Sequence, residues 1–318
     1  MKIVVLDGKT LNPGDLSWDV FDGLGELAVY DRTPPDLIVE RAMGAEAVLV
    51  NKTVLTAEFI SRLPELRYIG ILATGYNTVD VEFAGKHGIT VTNVPAYSTD
   101  SVAQFTFALL LELCNQVKVH SDTVRDGEWT RAMDFSYWKF PLIELAGKNM
   151  GIIGFGQIGR KAAEIAFAFG LNVIGYDVNI DEQYRHEKFK WASLDDLLAE
   201  SDIVSLHCPL FPENQGMVNK GFLEKMKRTA FLLNTARGGL VVEKDLAFAL
   251  NTEGIAGAGL DVLSTEPPSA DNPMLKAKNC IITPHIAWAS RDSRGRLMNA
   301  IAENLRCFQN NAPVNVVS

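Results

Sequence analysis

The sequence is short of cysteine, of positive charge and of long apolar runs, and each shortage removes a class of protein. Among 318 residues there are four cysteines, Cys114, Cys208, Cys280 and Cys307, widely spaced and without a CxxC pair. That pattern argues against a disulfide framework or a thiolate metal site, and no metal is expected; reduced thiols in the cytoplasm fit it. Acidic residues outnumber basic ones by 39 to 30, for a net charge of −9. A nucleic-acid binder would ordinarily carry a basic face, and a polybasic membrane anchor a basic cluster; neither is expected. The apolar stretch 3–6 is too short for a signal peptide. The most apolar helical candidate, 102–114, contains Gln104 and Glu112 and is too short to cross a bilayer.

What is present is the composition of a globular protein, 47% hydrophobic and 22% charged. At about 150 residues per domain, the length predicts two domains. Short β-rich runs at 2–6, 27–30, 47–50, 68–71 and 90–92 alternate with helical patterns at 35–43, 57–62 and 79–87. Thr56 reads as a helix cap. The alternation restarts after Gly147, with strands at 150–153, 173–176, 203–207, 231–234, 257–261 and 281–283. Helices are expected to begin near Gln157, Leu194, Lys220, Glu243 and Ser293. Such alternation predicts β-α crossovers and parallel sheets, hence two α/β units. Between them, 101–120 reads as one long helix. An aromatic stretch follows, with Trp129, Phe135, Tyr137, Trp138 and Phe140. Aromatics this dense in a loop point to burial against a partner subunit, with an arm folded back on its own chain as the alternative.

The sharpest local signal is the GxGxxG at Gly154, Gly156 and Gly159. Taken alone it is a weak motif. Here an apolar strand precedes it and the helical pattern Ile158, Ala162, Ile165, Ala166, Phe169 follows. In a dinucleotide site the first glycine allows the tight turn, the second lets the backbone approach a pyrophosphate, and the third lets helix and strand pack closely. The helix N-terminus then offers free N–H groups to the phosphates. The next strand ends in Asp177, placed to accept hydrogen bonds from the adenosine ribose hydroxyls. Val178 and Asn179 follow without an arginine, which favours NAD over NADP. The bland alternative is a structural turn beside an ordinary aspartate.

Ligands of open α/β sheets lie beyond the carboxyl ends of the strands. His207, Cys208 and Pro209 follow one predicted strand, and Asn234, Thr235, Ala236 and Arg237 the next. Then come Asp261 with Glu266 five residues on, and finally Pro284-His285. Each has a bland reading singly, as a turn cation, a solvated loop acid or a buried histidine. An arginine, an acid and a histidine together at neighbouring strand ends point to catalysis.

With these pieces in order, the sequence resembles the NAD-dependent D-2-hydroxyacid dehydrogenases over nearly its whole length. The matching segments begin with Ala73-Thr74-Gly75-Tyr76-Asn77-Thr78-Val79-Asp80, Ser101-Val102-Ala103-Gln104 and the glycine turn. They continue with Asn234-Thr235-Ala236-Arg237-Gly238-Gly239, Gly259-Leu260-Asp261-Val262, Glu266-Pro267 and Thr283-Pro284-His285-Ile286-Ala287. The run from His285 to Arg291 and the stretch 101–107 look most like the glycerate dehydrogenase or hydroxypyruvate reductase branch. Asn51-Lys52-Thr53 departs from the Arg-Ser type sequence of many relatives. The chain ends soon after its last helix, so the C-terminal regulatory domain of longer phosphoglycerate dehydrogenases is not expected.

The resemblance implies a Rossmann-type nucleotide domain at 100–286 inserted into a flavodoxin-like, parallel-sheet substrate domain formed by 1–99 and completed by 287–318. The substrate would lie in a cleft whose closure excludes water. It implies NAD as cofactor, held by Gly154, Gly156, Gln157, Ile158, Gly159, Asp177, Cys208, Pro209, Thr235, Ala236, Arg237, Asp261 and His285. His285 would act as acid and base, Glu266 would fix its tautomer, and Arg237 would hold the substrate carboxylate. Thr74 and Gly75 would add backbone N–H groups to the carboxylate, and Lys52 would add charge nearby. The aromatic stretch leads to the expectation of a homodimer through 101–140. Glyoxylate, phosphoglycerate and D-lactate dehydrogenation would use the same three residues. A reading of another class is an NAD-sensing corepressor that recruits short peptides.

Overall fold

The computed structural model describes residues 1–318. The chain forms two α/β units: Met1–Ser98 with Trp288–Ser318, and Thr99–Ala287. In the first unit, strands β1 (Lys2–Val5), β2 (Glu26–Val29), β3 (Ala47–Val50), β4 (Tyr68–Ile71) and β5 (Thr90–Thr92) are joined in part by α1 (Ile38–Ala42), α2 (Ala57–Ser61) and α3 (Val81–Lys86). They form a five-stranded parallel sheet in the order β2-β1-β3-β4-β5, the flavodoxin-like arrangement.

The second unit opens with α4 (Thr99–Asn115) and α5 (Val117–Arg125). Strand β6 (Asn149–Ile153), helix α6 (Gln157–Ala168), β7 (Asn172–Tyr176) and β8 (Phe189–Trp191) follow. Then come α7 (Leu194–Glu200), β9 (Ile203–Leu206), α8 (Lys220–Lys225), β10 (Phe231–Asn234), α9 (Glu243–Asn251), β11 (Gly257–Leu260) and β12 (Cys280–Ile282). Its seven parallel strands run β12-β11-β10-β9-β6-β7-β8, so the order reverses between β6 and β9. This is the Rossmann arrangement, extended by one strand. The last helix, α10 (Arg291–Gln309), belongs to the first unit.

Alternation along the strands sets the layers, because successive side chains point to opposite faces. In the first unit Ile3, Val5, Leu49 and Tyr68 pack with Leu297, Ile301 and Leu305 of α10. Val4, Val48, Val50 and Ile69 face the other way, against Ile38, Ile60 and Ala84 of the short helices. In the second unit Met150, Ile152 and Leu233 pack with Phe107 and Leu110 of α4. Burying a side chain of this size stabilises by roughly 1.5–3 kcal/mol. The tail beyond α10 pairs with the free edge of β5, where the Val317 N–H donates to Val91 at 2.8 Å.

Two local expectations are corrected and one strand is added. The helix expected over 101–120 is two helices, broken at Gln116, which sits in the left-handed region at φ 45°. Burial explains the break: α4 buries Leu109, Leu110 and Cys114, whereas α5 buries nothing. Thr56 precedes α2, but its side chain makes no capping hydrogen bond. That five-residue helix is held instead by its buried Ile60. Strand β8 was not anticipated; it is a three-residue edge strand whose periodicity is too short to read.

Candidate active site

The glycine turn lies between β6 and α6, at the point where the strand order reverses. Gly154 adopts φ +93°, and a Cβ there would sit 2.4 Å from the Cys208 nitrogen. The turn is thus pressed against the backbone leaving β9. A Cβ on Gly159 would lie 2.2 Å from the Gly154 carbonyl oxygen, so helix and turn touch backbone to backbone. Gly156 has open space instead, with nothing within 4 Å of a Cβ. The N–H groups of Gly156, Gln157 and Ile158 form no hydrogen bond within the protein. An open approach and unpaired donors at a helix N-terminus suit a pyrophosphate, so the residues present fit a dinucleotide.

Asp177 stands at the end of β7. Its carboxylate accepts the Phe155 N–H at 2.7 Å and the Asn179 N–H at 2.9 Å, which fixes it beside the turn. No arginine directly follows Asp177 in the sequence, but Arg160 of α6 reaches the turn from the helix. This residue donates to the Phe155 carbonyl at 3.1 Å and pairs with Asp181 at 2.9 Å. Arg160 is thus committed to Asp181 and to the turn's backbone.

After β9, His207 lies behind the turn, 2.9 Å from the Ser205 hydroxyl. Burial pushes its imidazole down to about 4, from an ordinary 6.5. The ring is therefore neutral in the folded protein near pH 7, as it is in the unfolded chain. Between pH 6.5 and 4 the unfolded chain takes up a proton that the folded one refuses. This group should thus lower stability as pH falls through that window and add no further loss below it. Denaturation midpoints of the wild type and His207→Gln, compared across the window, should converge toward low pH; parallel curves would contradict the assignment.

Cys208 is half-buried, and burial pushes its thiol up. The Pro209 carbonyl accepts Asn214 Nδ2 at 2.8 Å, which ties down the loop after β9. Thr235 follows β10, with its hydroxyl 2.9 Å from that of Thr106 on α4. The side chain of Asn234 brackets the next turn, accepting the Ala236 N–H and donating to the Arg237 carbonyl. Arg237 is exposed, with one terminal nitrogen 2.7 Å from the Ala236 carbonyl. Gly238 cannot be another residue: a Cβ would lie 1.9 Å from the Leu263 carbonyl carbon. The loop bearing Arg237 is thereby pressed onto the loop bearing Glu266.

Arg237, Glu266 and His285 follow β10, β11 and β12, three neighbouring strands of one sheet. His285 Nδ1 lies 2.6 Å from Glu266 Oε2, while Glu266 Oε1 accepts the Leu263 N–H at 3.1 Å. The carboxylate thus bridges its own loop and the imidazole. His285 has φ +56°, a left-handed backbone that is costly outside glycine. What holds it is Asp261, 1% exposed. The Asp261 carboxylate accepts the Thr283 hydroxyl at 2.6 Å and the N–H groups of Ile286 and Ala287 at 2.9 and 2.8 Å. The His285 N–H also donates to the Asp261 carbonyl at 2.8 Å. Asp261, which the resemblance implies as a cofactor contact, also anchors the segment carrying His285.

In the first unit, Thr74 and Gly75 lie in the loop after β4, and neither backbone N–H is hydrogen-bonded within the protein. The Thr74 hydroxyl donates to Val94 at 2.8 Å and Asn93 Nδ2 donates to the Thr74 carbonyl at 2.7 Å, so the loop is held from below. Lys52 lies after β3 and lines a cavity that includes neither Thr74 nor Gly75.

Residues 107–287 match the family model described as the NAD-binding domain of D-isomer specific 2-hydroxyacid dehydrogenases. The chain is 51% identical to a hydroxypyruvate reductase of Blautia hydrogenotrophica, with 100% of both chains covered. It is 37% identical to a glycerate dehydrogenase of Methylorubrum extorquens, covering 99% of this chain and 98% of the relative. Among solved structures, a D-lactate dehydrogenase from Aquifex aeolicus complexed with NAD and lactic acid superposes with a TM-score of 0.82 at 31% identity, over 98% of this chain and 96% of that one. An acyclic imino acid reductase in complex with NADPH and D-Arg gives 0.85 at 32% identity, with 100% of each chain covered. The chain therefore belongs to the D-isomer specific 2-hydroxyacid dehydrogenases, NAD-linked oxidoreductases of 2-hydroxy and 2-oxo acids.

Proposed function

We propose that this protein interconverts hydroxypyruvate and D-glycerate with NAD(H), as a homodimer in the cytoplasm. The observation that carries the chemistry is the 2.6 Å pairing of His285 with Glu266, on strand ends adjoining that of Arg237. The names of the full-length relatives, hydroxypyruvate reductase and glycerate dehydrogenase, support the substrate.

The dinucleotide is assigned to Gly154, Gly156, Gln157, Ile158, Gly159 and Asp177, with Cys208, Pro209, Thr235, Ala236, Arg237, Asp261 and His285 along the strand ends. When bound as NADH it supplies the hydride that ends on C2 of the 2-oxo acid. Arg237 holds the substrate carboxylate, a task its planar fork suits better than an ammonium. The unpaired N–H groups of Thr74 and Gly75 suit a carboxylate oxygen. Negative charge grows on the carbonyl oxygen during reduction, and His285 Nε2 delivers a proton to it; in oxidation the same nitrogen takes the hydroxyl proton. Glu266 is a positioning residue. By accepting from Nδ1 it leaves Nε2 to face the substrate.

The test is steady-state oxidation of NADH with hydroxypyruvate, glyoxylate, pyruvate and phosphohydroxypyruvate. Hydroxypyruvate should show the highest kcat/KM, by about 10-fold or more over a substrate differing by one small group. A higher value for any of the other three would overturn the substrate. NADH binding without turnover of any of them would favour the corepressor reading.

For the cofactor, Asp177→Ala should raise kcat/KM for NADPH relative to NADH, because the carboxylate that would oppose a 2′-phosphate is gone. An unchanged ratio would exclude Asp177 as the ribose reader.

Dimerisation is supported by the aromatic segment. Trp129, Met133, Phe135 and Trp138 are 52, 101, 90 and 67% exposed, an apolar surface that isolated monomers rarely carry. Sedimentation should give a dimer, shifted toward monomer by Phe135→Asp; a monomeric wild type would rule the dimer out. No helix is long and apolar enough to cross a membrane, and all four cysteines are free. Burial pushes Cys114 up to about 11 and Cys280 up to about 12, which makes both thiols unreactive. Four widely spaced cysteines without a CxxC pair support a reducing compartment.

A further inference from the structure

The first unit has a strand-order reversal of its own. β1 lies between β2 and β3, so the chain leaves its carboxyl end in both directions. Such a reversal opens a crevice beyond the strand ends, where open α/β sheets bind ligands. A cavity of 420 Å³ occupies that place, lined among others by Asp7, Thr10, Arg32, Thr33, Lys52 and Thr53. The volume is that of a small-molecule site.

The backbone around it is fixed in advance. Asp7, 6% exposed, accepts three consecutive N–H groups, from Asn51 at 2.8 Å, Lys52 at 2.5 Å and Thr53 at 2.7 Å. This clamps the loop after β3. Arg41 does the same for the loop after β2, donating to the Arg32 carbonyl at 2.6 Å and the Thr33 hydroxyl at 2.9 Å.

The charges lining the cavity divide unequally in their commitments. Asp7 is taken up by its three donors, and Asp31 pairs with Lys9 at 3.6 Å. Arg32 and Lys52 have no hydrogen bond or ion pair from their side chains. Two uncommitted cations on clamped loops, lining one cavity with three threonines, match an anion that offers several oxygens. Arginine binds such oxygens bidentately and lysine adds a point charge. We propose that this cavity, built from the first unit alone, binds a small phosphate-bearing metabolite between Arg32 and Lys52. That gives Lys52 a ligand other than the substrate carboxylate.

The proposal is tested by calorimetric titration of inorganic phosphate into the whole protein saturated with NADH, which fills the phosphate-binding glycine turn. Arg237→Met serves as the control for anion binding at the substrate-carboxylate position. Saturable binding should weaken about tenfold in Arg32→Ala and in Lys52→Ala, the loss expected for one charge-assisted contact, and should persist in Arg237→Met. Both Arg32 and Lys52 are exposed, so their removal leaves the core intact, and unchanged melting temperatures would verify this. Absence of saturable binding would overturn the proposal. So would binding that is lost in Arg237→Met yet indifferent to Arg32→Ala and Lys52→Ala.

Discussion

His285→Ala is expected to lower turnover by about 10²–10⁴-fold, the usual cost of removing a proton-transfer group, while NADH binding is largely retained. Nδ1 is paired with Glu266 at 2.6 Å, which fixes the ring and assigns Nε2 to the substrate oxygen. The glycine turn and Asp177 do not depend on the imidazole; they are braced by Cys208 and Phe155. Fluorescence titration with NADH and steady-state rates on hydroxypyruvate would separate the two effects. A variant that kept near-normal turnover on every 2-oxo acid tried would dismiss His285 as acid and base. A variant that lost both binding and turnover would point to a structural part instead.

The second large effect is expected at Asp261. Replacement by alanine removes the acceptor for one hydroxyl and two backbone N–H groups in the segment that carries His285. Leaving the buried Ala287 N–H unpaired costs on the order of 1–3 kcal/mol, and the half-buried Thr283 hydroxyl and the Ile286 N–H lose less, so a loss of about 3 kcal/mol overall is expected. For a domain of this size that is a fall of roughly 6–12 °C in melting temperature. Turnover should fall as well, because His285 adopts φ +56° and relies on these contacts to stay there. Asp261→Asn keeps one acceptor oxygen and should recover part of both losses. Equal melting temperatures for wild type and Asp261→Ala would show that the segment is held by something else.

These two residues differ in how readily they could be found. His285 was legible because a polar residue after an apolar strand in an α/β pattern has few places to point except the ligand edge. Asp261 was legible as a strand-end acid, but its work was not. Its partners lie 22–26 positions away, and nothing in the intervening sequence marks them as donors. Arg160 was hidden for a related reason: it lies 21 residues before Asp181, on α6 rather than after β7. The break at Gln116 was hidden because glutamine is an ordinary helix residue, and only the change from buried α4 to unburied α5 forces the turn there.

The sequence by itself determined the alternating strands and helices, the glycine turn with its strand-end aspartate, and the order of arginine, acid and histidine along the chain. These follow from periodicity and from the conformations open to neighbouring residues, which are local properties. Tertiary structure decided which strand ends lie side by side, which face of each helix is buried, and which carboxylates anchor backbone. It alone brought Asp7 to residues 44–46 positions away and left Arg32 and Lys52 uncommitted above the first sheet. Such contacts depend on strand order, and strand order is settled by the packing of whole elements.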